Sequence, residues 1–136
     1  MVASADFDRI EVGEQLPPLS IDITPKLIVG AALASRDYQD VHHDKAAARA
    51  LGSPDIFMNI LTTNGLVGRY VTDWAGSNAR LRNVDIRLGA PNFPGDCMTF
   101  SGEVVAKDEA EHLLEVELKG SNSLGDHVTG RVRLTL

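Results

Sequence analysis

Five ionisable side chains, Asp37, Asp40, His42, His43 and Asp44, fall within eight consecutive positions, and an alanine-rich run follows them. No other stretch of the chain is comparable. A carboxylate beside an imidazole can remove a proton from a substrate or a water near neutral pH and return it. Two other readings use the same residues. A polar loop ending in Asp44 as a helix N-cap would have this composition without any chemistry, and composition alone does not separate it from a catalytic pair. A metal site is disfavoured, because the adjacent His42 and His43 would diverge in direction and no third set of ligands with recognisable spacing occurs. His112 and His127 read as solvated strand or turn residues.

The elements that must hold this cluster can be read from hydrophobic period. Leu19, Ile21 and Ile23 alternate with Ser20, Asp22 and Thr24, which predicts a first strand. Thr24-Pro25 opens a helix through Ser35, with threonine as the cap and proline at the first turn, where its missing N–H has no partner to lose. The helix ends near Arg36-Asp37, so Tyr38 to His42 is expected as an irregular overhang. Asp44 caps a short helix that Gly52 terminates. From Ile56 to Trp74 apolar residues recur every three or four positions, predicting a long central helix. Gly65 and Gly68 inside it suggest close packing against a sheet. After it the period becomes two, around Val84–Leu88, Met98–Val104, Leu114–Leu118 and Val128–Leu136, separated by short turn-rich segments. Four antiparallel strands in a meander are expected, with one face covered by the long helix. The element order is that of an α+β hot-dog fold, an antiparallel sheet wrapped around a long central helix. Residues 1–18, acidic and closed by Pro17-Pro18, are expected as a partly ordered arm, strand-like at best, and residues 19–136 as one domain.

Composition bounds the function. The chain has 136 residues, 43% of them hydrophobic, which suits one core. Nineteen acidic against 13 basic residues, with no basic run, disfavour nucleic acid and anionic membrane as partners. Cys97 is the only cysteine, excluding an internal disulfide and suiting a reducing, cytoplasmic setting. The first residues lack a signal-peptide pattern, and no apolar stretch is long enough to span a bilayer. A sheet with free edges is expected to pair with another subunit.

The segment Asp37-Tyr38-Gln39-Asp40-Val41-His42-His43-Asp44, with Ala46, Ala50, Gly52 and Ile56 after it, resembles the hydratase 2 motif of MaoC-like enoyl-CoA hydratases, D-x-N-P-x-H-x-D followed by I-x-H-G-M. Asn122 to Gly130 resembles that family's last hairpin, so the likeness runs from about Ile23 to Leu136. It implies that Asp37 and His42 are the acid/base pair that adds water to an enoyl-thioester. No cofactor is implied, CoA being part of the acyl-CoA substrate. Gln39-Asp40 replace the usual asparagine and proline, and Met58-Asn59 replace the usual histidine and glycine. In the family a backbone amide at that glycine holds the thioester oxygen, which makes Asn59 the candidate donor here and Ile60 a second one. Tyr38, Gln39 and His43 are candidates to line the same pocket. Asp55-Ile56-Phe57-Met58-Asn59-Ile60-Leu61 and Val71 to Gly76 look, more narrowly, like small subunits of the actinobacterial heteromeric hydratases that act on the steroid side chain in cholesterol degradation. That likeness implies a second, larger MaoC-like subunit, two copies of each in a heterotetramer, and a steroid enoyl-CoA.

Two alternatives stay open at this point. An acyl-CoA thioesterase on the same fold would place a catalytic carboxylate on or near the central helix, where the chain offers Asp55 and Asp73. A scaffold subunit would complete a partner's active site without chemistry of its own.

Overall fold

The computed structural model describes residues 4–136. One five-stranded antiparallel sheet, in the order β1-β3-β4-β5-β2, carries the fold. The strands are β1 (Gln15–Asp22), β2 (Arg80–Leu88), β3 (Cys97–Asp108), β4 (Leu113–Asn122) and β5 (Gly125–Thr135), and the helices are α1 (Pro25–Ala34), α2 (Lys45–Ala50) and α3 (Ile60–Ala75). The sheet closes over α3, which buries Thr62, Thr63, Val67, Tyr70, Val71 and Ala75. Against them pack alternate residues of the strands, among them Met98, Phe100, Val104, Val116, Val128 and Val132, all fully buried. Each such valine or phenylalanine contributes about 1.5–3 kcal/mol by leaving water. The hot-dog arrangement expected from the element order is therefore present.

The local signals that start and stop the elements act as the sequence implies. Thr24 caps α1 by accepting from the Leu27 N–H, and Asp44 caps α2 by accepting from the Ala47 N–H. Gly52 follows α2 at φ +92°, the left-handed conformation that ends a helix.

Four expectations need correction. The first strand starts at Gln15, ahead of the expected boundary at Leu19, and Phe7, Ile10 and Leu16 join the core. Pro17-Pro18 do not break this strand, because β1 is an edge and the pairing with β3 shifts register between Leu16 and Leu19, where their missing N–H groups matter least. Of the expected arm, residues 1–3 lie outside the described residues. The central helix starts at Ile60 instead of Ile56, with Ile56–Asn59 irregular and Asn59 as the cap. Gly65 is not packed closely against the sheet: a Cβ there would meet nothing within 4 Å, whereas one at Gly68 would touch the Leu81 side chain at 3.5 Å.

The fourth correction concerns topology. β3, β4 and β5 form the expected meander, but β2 pairs with β5 and not with β3. The residues between β2 and β3 must cross three strand spacings, about 14 Å, which a segment of this length spans easily. The crossing is tied down on the way. Gly89 and Ala90 donate to the carbonyls of His127 and Asp126, Asn122 Nδ2 donates to the Pro91 carbonyl, and Gly95 donates to the Ile23 carbonyl. This crossover passes beside the residues that lead into α3, since the Met58 N–H donates to the Asn92 carbonyl at 3.1 Å. No helix among the described residues is long and apolar enough to cross a membrane.

Candidate active site

Three segments converge on Asp37. The first is the end of α1. Ser35 closes the helix, Arg36 adopts φ +58°, and the Asp37 N–H reaches back to the Ala32 carbonyl at 2.9 Å. This is the hydrogen-bond pattern of a Schellman stop with arginine where glycine is usual, at a cost of about 1–2 kcal/mol for the left-handed residue. The reversal turns the Asp37 side chain back toward α3. Strain of this kind, one residue before a functional side chain, is a recurrent property of active sites.

The second segment is a single 3-10 turn, Asp40–His42, that buries His42. Its imidazole is held from one side: Nδ1 lies 2.6 Å from the Phe57 carbonyl oxygen, so Nδ1 carries a proton and donates it. Nε2 then points at Asp37, 3.3 Å from Oδ2. The Phe57 ring meets the imidazole edge-on at 5.1 Å.

The third segment is Ile56–Asn59. The Phe57 N–H donates to the Val41 carbonyl, and the Met58 N–H to Asn92, which fixes the carbonyl that holds His42. Asn59 then turns inward. Its Nδ2 donates to Asp37 Oδ2 at 3.0 Å and to Ser35 Oγ at 3.1 Å, while its Oδ1 accepts from the Thr62 N–H at 3.0 Å. The Asp37 carboxyl is held below its ordinary value by the Asn59 amide first and then by the Gln39 N–H, partly opposed by desolvation, with the nearby His42 adding the smallest lowering. Asp37 is therefore a carboxylate throughout the neutral range. Among the described residues the backbone N–H groups of Asn59 and Ile60 take no hydrogen-bond partner. They lie at the N-terminus of a 16-residue helix, whose dipole favours negative charge there.

The structure thus brings Asp37, His42 and Asn59 together, with Ile60 next to them at the start of α3. Gln39 contributes its N–H, which donates to Asp37 Oδ1 at 3.2 Å, while its side chain is exposed. Tyr38 is exposed, and its carbonyl accepts from His43 Nε2 at 3.3 Å. Among the described residues no three histidine, cysteine or carboxylate side chains gather in a metal-binding cluster. Asp55 lies 3.5 Å from Lys45, and Asp73 is exposed on α3 beside Arg69 at 3.3 Å.

His127 is the residue that sequence reasoning misplaced. It is buried and not solvated: Nδ1 donates to the Ala90 carbonyl at 2.7 Å, and Nε2 lies 2.8 Å from Thr63 Oγ1. With Nδ1 protonated, Nε2 accepts from the threonine hydroxyl. Burial pushes the imidazole below its ordinary value, partly offset by the Ala90 bond. This link joins the crossover to the first turn of α3, one helical turn from Asn59. Ser35 and Phe57, which support the pair through a hydroxyl and a carbonyl, carry no signal of that role in their residue types.

Neither the hollow of about 820 Å³ on the solvent face of the sheet nor the groove of about 460 Å³ between α3 and β2 contains Asp37 or His42. Exposed apolar side chains instead adjoin the site along the chain, at Tyr38 next to Asp37 and at Ile60 next to Asn59. Apolar surface of this kind marks a place where a ligand or another chain sits.

The fold and the site together define a hot-dog domain with an aspartate and a histidine paired on the overhang before its central helix. The chain belongs to the family described as MaoC like domain, which matches residues 9–123. The 3-oxo-4,17-pregnadiene-20-carboxyl-CoA hydratase beta subunit of Mycobacterium tuberculosis is 53% identical over 125 residues, covering 92% of this chain and 95% of that protein. Among solved structures, a chain of the ChsH1-ChsH2 complex from Mycobacterium tuberculosis superposes with a TM-score of 0.90 at 52% identity, covering 93% of this chain and 98% of that one. The (R)-hydratase from A. caviae involved in PHA biosynthesis has the same fold, with a TM-score of 0.86 at 22% identity over 94% of this chain and 98% of its own.

Proposed function

We propose that this chain is the catalytic small subunit of an enoyl-CoA hydratase that adds water across the α,β double bond of a steroid side-chain enoyl-CoA, giving the 3-hydroxyacyl-CoA. The observation that carries the reading is the pairing of His42 Nε2 with Asp37 Oδ2 at 3.3 Å, with the far side of the ring locked on the Phe57 carbonyl. A water held by both groups is aimed by both. As its oxygen bonds to the β-carbon, one of its protons passes to Asp37, with His42 orienting the water and able to share that proton. The electron pair of the double bond moves onto the thioester oxygen, where the free N–H groups of Asn59 and Ile60 stabilise the charge. The pair then returns a proton to the α-carbon on the same face. Water and thioester are the only reactants, so no cofactor enters.

The steroid acyl group is supported by the name of the 53% identical relative and by the exposed apolar side chains of Tyr38 and Ile60 beside the pair. Gln39 and His43 would rim the same approach. A partner subunit is supported by the likeness to a chain of a two-component complex, and we infer that it is a larger MaoC-like chain with two copies of each subunit. It is also supported by the sheet edges. β1 is blunted by Pro17-Pro18, whereas β2 leaves Leu81 and Leu88 exposed, Leu81 lining the apolar groove. Cytoplasmic placement is supported by the single free thiol, Cys97.

The test is co-expression with a candidate larger subunit and incubation with a steroid 17-enoyl-CoA and a straight-chain enoyl-CoA. Loss of enoyl absorbance without thiol release is expected, faster for the steroid. Thiol release in step with that loss would make the protein a thioesterase, and preference for the straight chain would remove the steroid.

A further inference from the structure

We propose that the Asn59 side chain is a positioning residue that fixes the rotation and charge of the Asp37 carboxylate, a role separate from any contact of its backbone with substrate. The inference rests on the acid/base reading of Asp37 and His42 given above.

The hydrogen bonds around Asn59 have only one consistent direction. The Ser35 hydroxyl has a single proton, and it is directed to the carbonyls of Ala31 at 2.8 Å and Ala32 at 3.0 Å. Toward Asn59 it can therefore only accept. The Thr62 N–H can only donate, and it faces Oδ1. A flipped amide would put oxygen against an acceptor and nitrogen against a donor, so the orientation is set by its surroundings. Both protons of Nδ2 are then assigned, one to Ser35 Oγ and the other to Asp37 Oδ2.

Asp37 thus faces a permanent donor on Oδ2 and a backbone donor, the Gln39 N–H, on Oδ1. With one donor on each oxygen the carboxylate cannot rotate without losing a bond. On Oδ2 one acceptor direction is taken by Asn59, which leaves the other open on the side of His42 Nε2, where a reacting water would be held by both groups. The same two donors favour the ionised form, the form a base must have before it takes a proton. A residue that only capped α3 would need the Oδ1 contact alone. Asn59 supplies the cap with its oxygen and the carboxylate anchor with its nitrogen, and serine or aspartate at this position would keep the first and lose the second.

The experiment uses Asn59→Ser and Asn59→Asp in the assembled complex, with Asp37→Asn and His42→Ala made beside them. In Asn59→Ser the cap remains, so assembly and melting temperature are expected to stay near those of the unsubstituted complex. Its kcat is expected to fall on the order of 10- to 100-fold with KM little changed, the loss typical of a reacting group misplaced by about 1 Å. The acid limb of its kcat profile moves to higher pH, because removing a donor lets the Asp37 carboxyl rise toward its ordinary value. Asn59→Asp sets a second carboxylate against Asp37 and moves the limb further in the same direction, with the larger loss of kcat. If Asn59→Ser keeps the parent kcat and acid limb while Asp37→Asn and His42→Ala are inactive, Asn59 is only a cap and the positioning role fails alone. A loss confined to KM makes Asn59 a substrate contact and also overturns it. If Asp37→Asn and His42→Ala both turn over normally, the acid/base reading fails and the inference falls with it.

Discussion

His42 Nε2 lies 3.3 Å from Asp37 Oδ2, while Nδ1 of the same ring donates to the Phe57 carbonyl at 2.6 Å. The ring therefore cannot present a protonated nitrogen to Asp37 unless it carries two protons. Two acceptors at this separation face each other stably only through a shared proton or a bridging water, so the residues act as one unit. Asp37→Asn and His42→Ala are each expected to lower turnover about 10²- to 10⁴-fold. The double variant should lose little more than the worse single one, since groups that act together are not additive. Steady-state hydration by the three assembled complexes checks this; fully multiplicative losses would mean independent roles.

His127 makes a second prediction, on stability. Its folded-state value is lowered, chiefly by burial. Above the ordinary histidine value of about 6.5, folded and unfolded chains are both neutral there, and the contribution is fully present. As pH falls below that value the unfolded chain binds a proton that the native state refuses, so stability declines until the folded-state value is reached. His127→Gln should flatten the decline below about pH 6.5. Denaturation midpoints at several pH values measure it, and an unchanged slope in the variant would assign the decline to other groups.

His127 also marks the limit of what the sequence discloses. Cap residues and period are local, so Thr24, Asp44 and the alternating strands were legible, and so was the cluster from Asp37 to Asp44. His127 and Val128 are both buried neighbours, which a period of two forbids, and the pairing of β4 with β5 shifts register opposite them, between Gly120 and Ser121. A bulge is a property of two strands together and has no signature in one. The placement of β2 beside β5 was illegible for a similar reason, because a short connection is compatible with a hairpin or a crossover. Ser35 and the Phe57 carbonyl became visible only when α1 and the residues before α3 met.

Tyr70 yields a third prediction. Its ring stacks on Phe100 at 5.1 Å, but its hydroxyl is buried without a hydrogen-bond partner among the described residues. An unmatched buried hydroxyl costs about 1–3 kcal/mol. Tyr70→Phe keeps the stacking and removes the cost, so a gain of about 1 kcal/mol, or about 3–5 °C in melting temperature, is expected. A loss on calorimetry would show that the hydroxyl has a partner such as a buried water.

Gly65 separates two uses of the groove between α3 and β2. It sits in the helix interior with nothing within 4 Å of a Cβ, beside Leu61, Gly68 and Leu81. In an exposed helix Gly65→Ala would stabilise by about 1 kcal/mol. In the assembled complex that gain appears only if the space stays open, so a drop in the stability of the complex means that another chain packs there. Gly65→Glu sharpens the contrast, since a charge cannot be buried against an apolar partner without large loss. If the larger subunit seats in this groove, Gly65→Glu is expected to abolish co-purification. If the groove admits the acyl chain instead, the complex still assembles and turnover of the steroid substrate falls more than that of a straight-chain one. Normal assembly with unchanged selectivity would remove both roles and leave the exposed β2 edge alone as the surface for the partner.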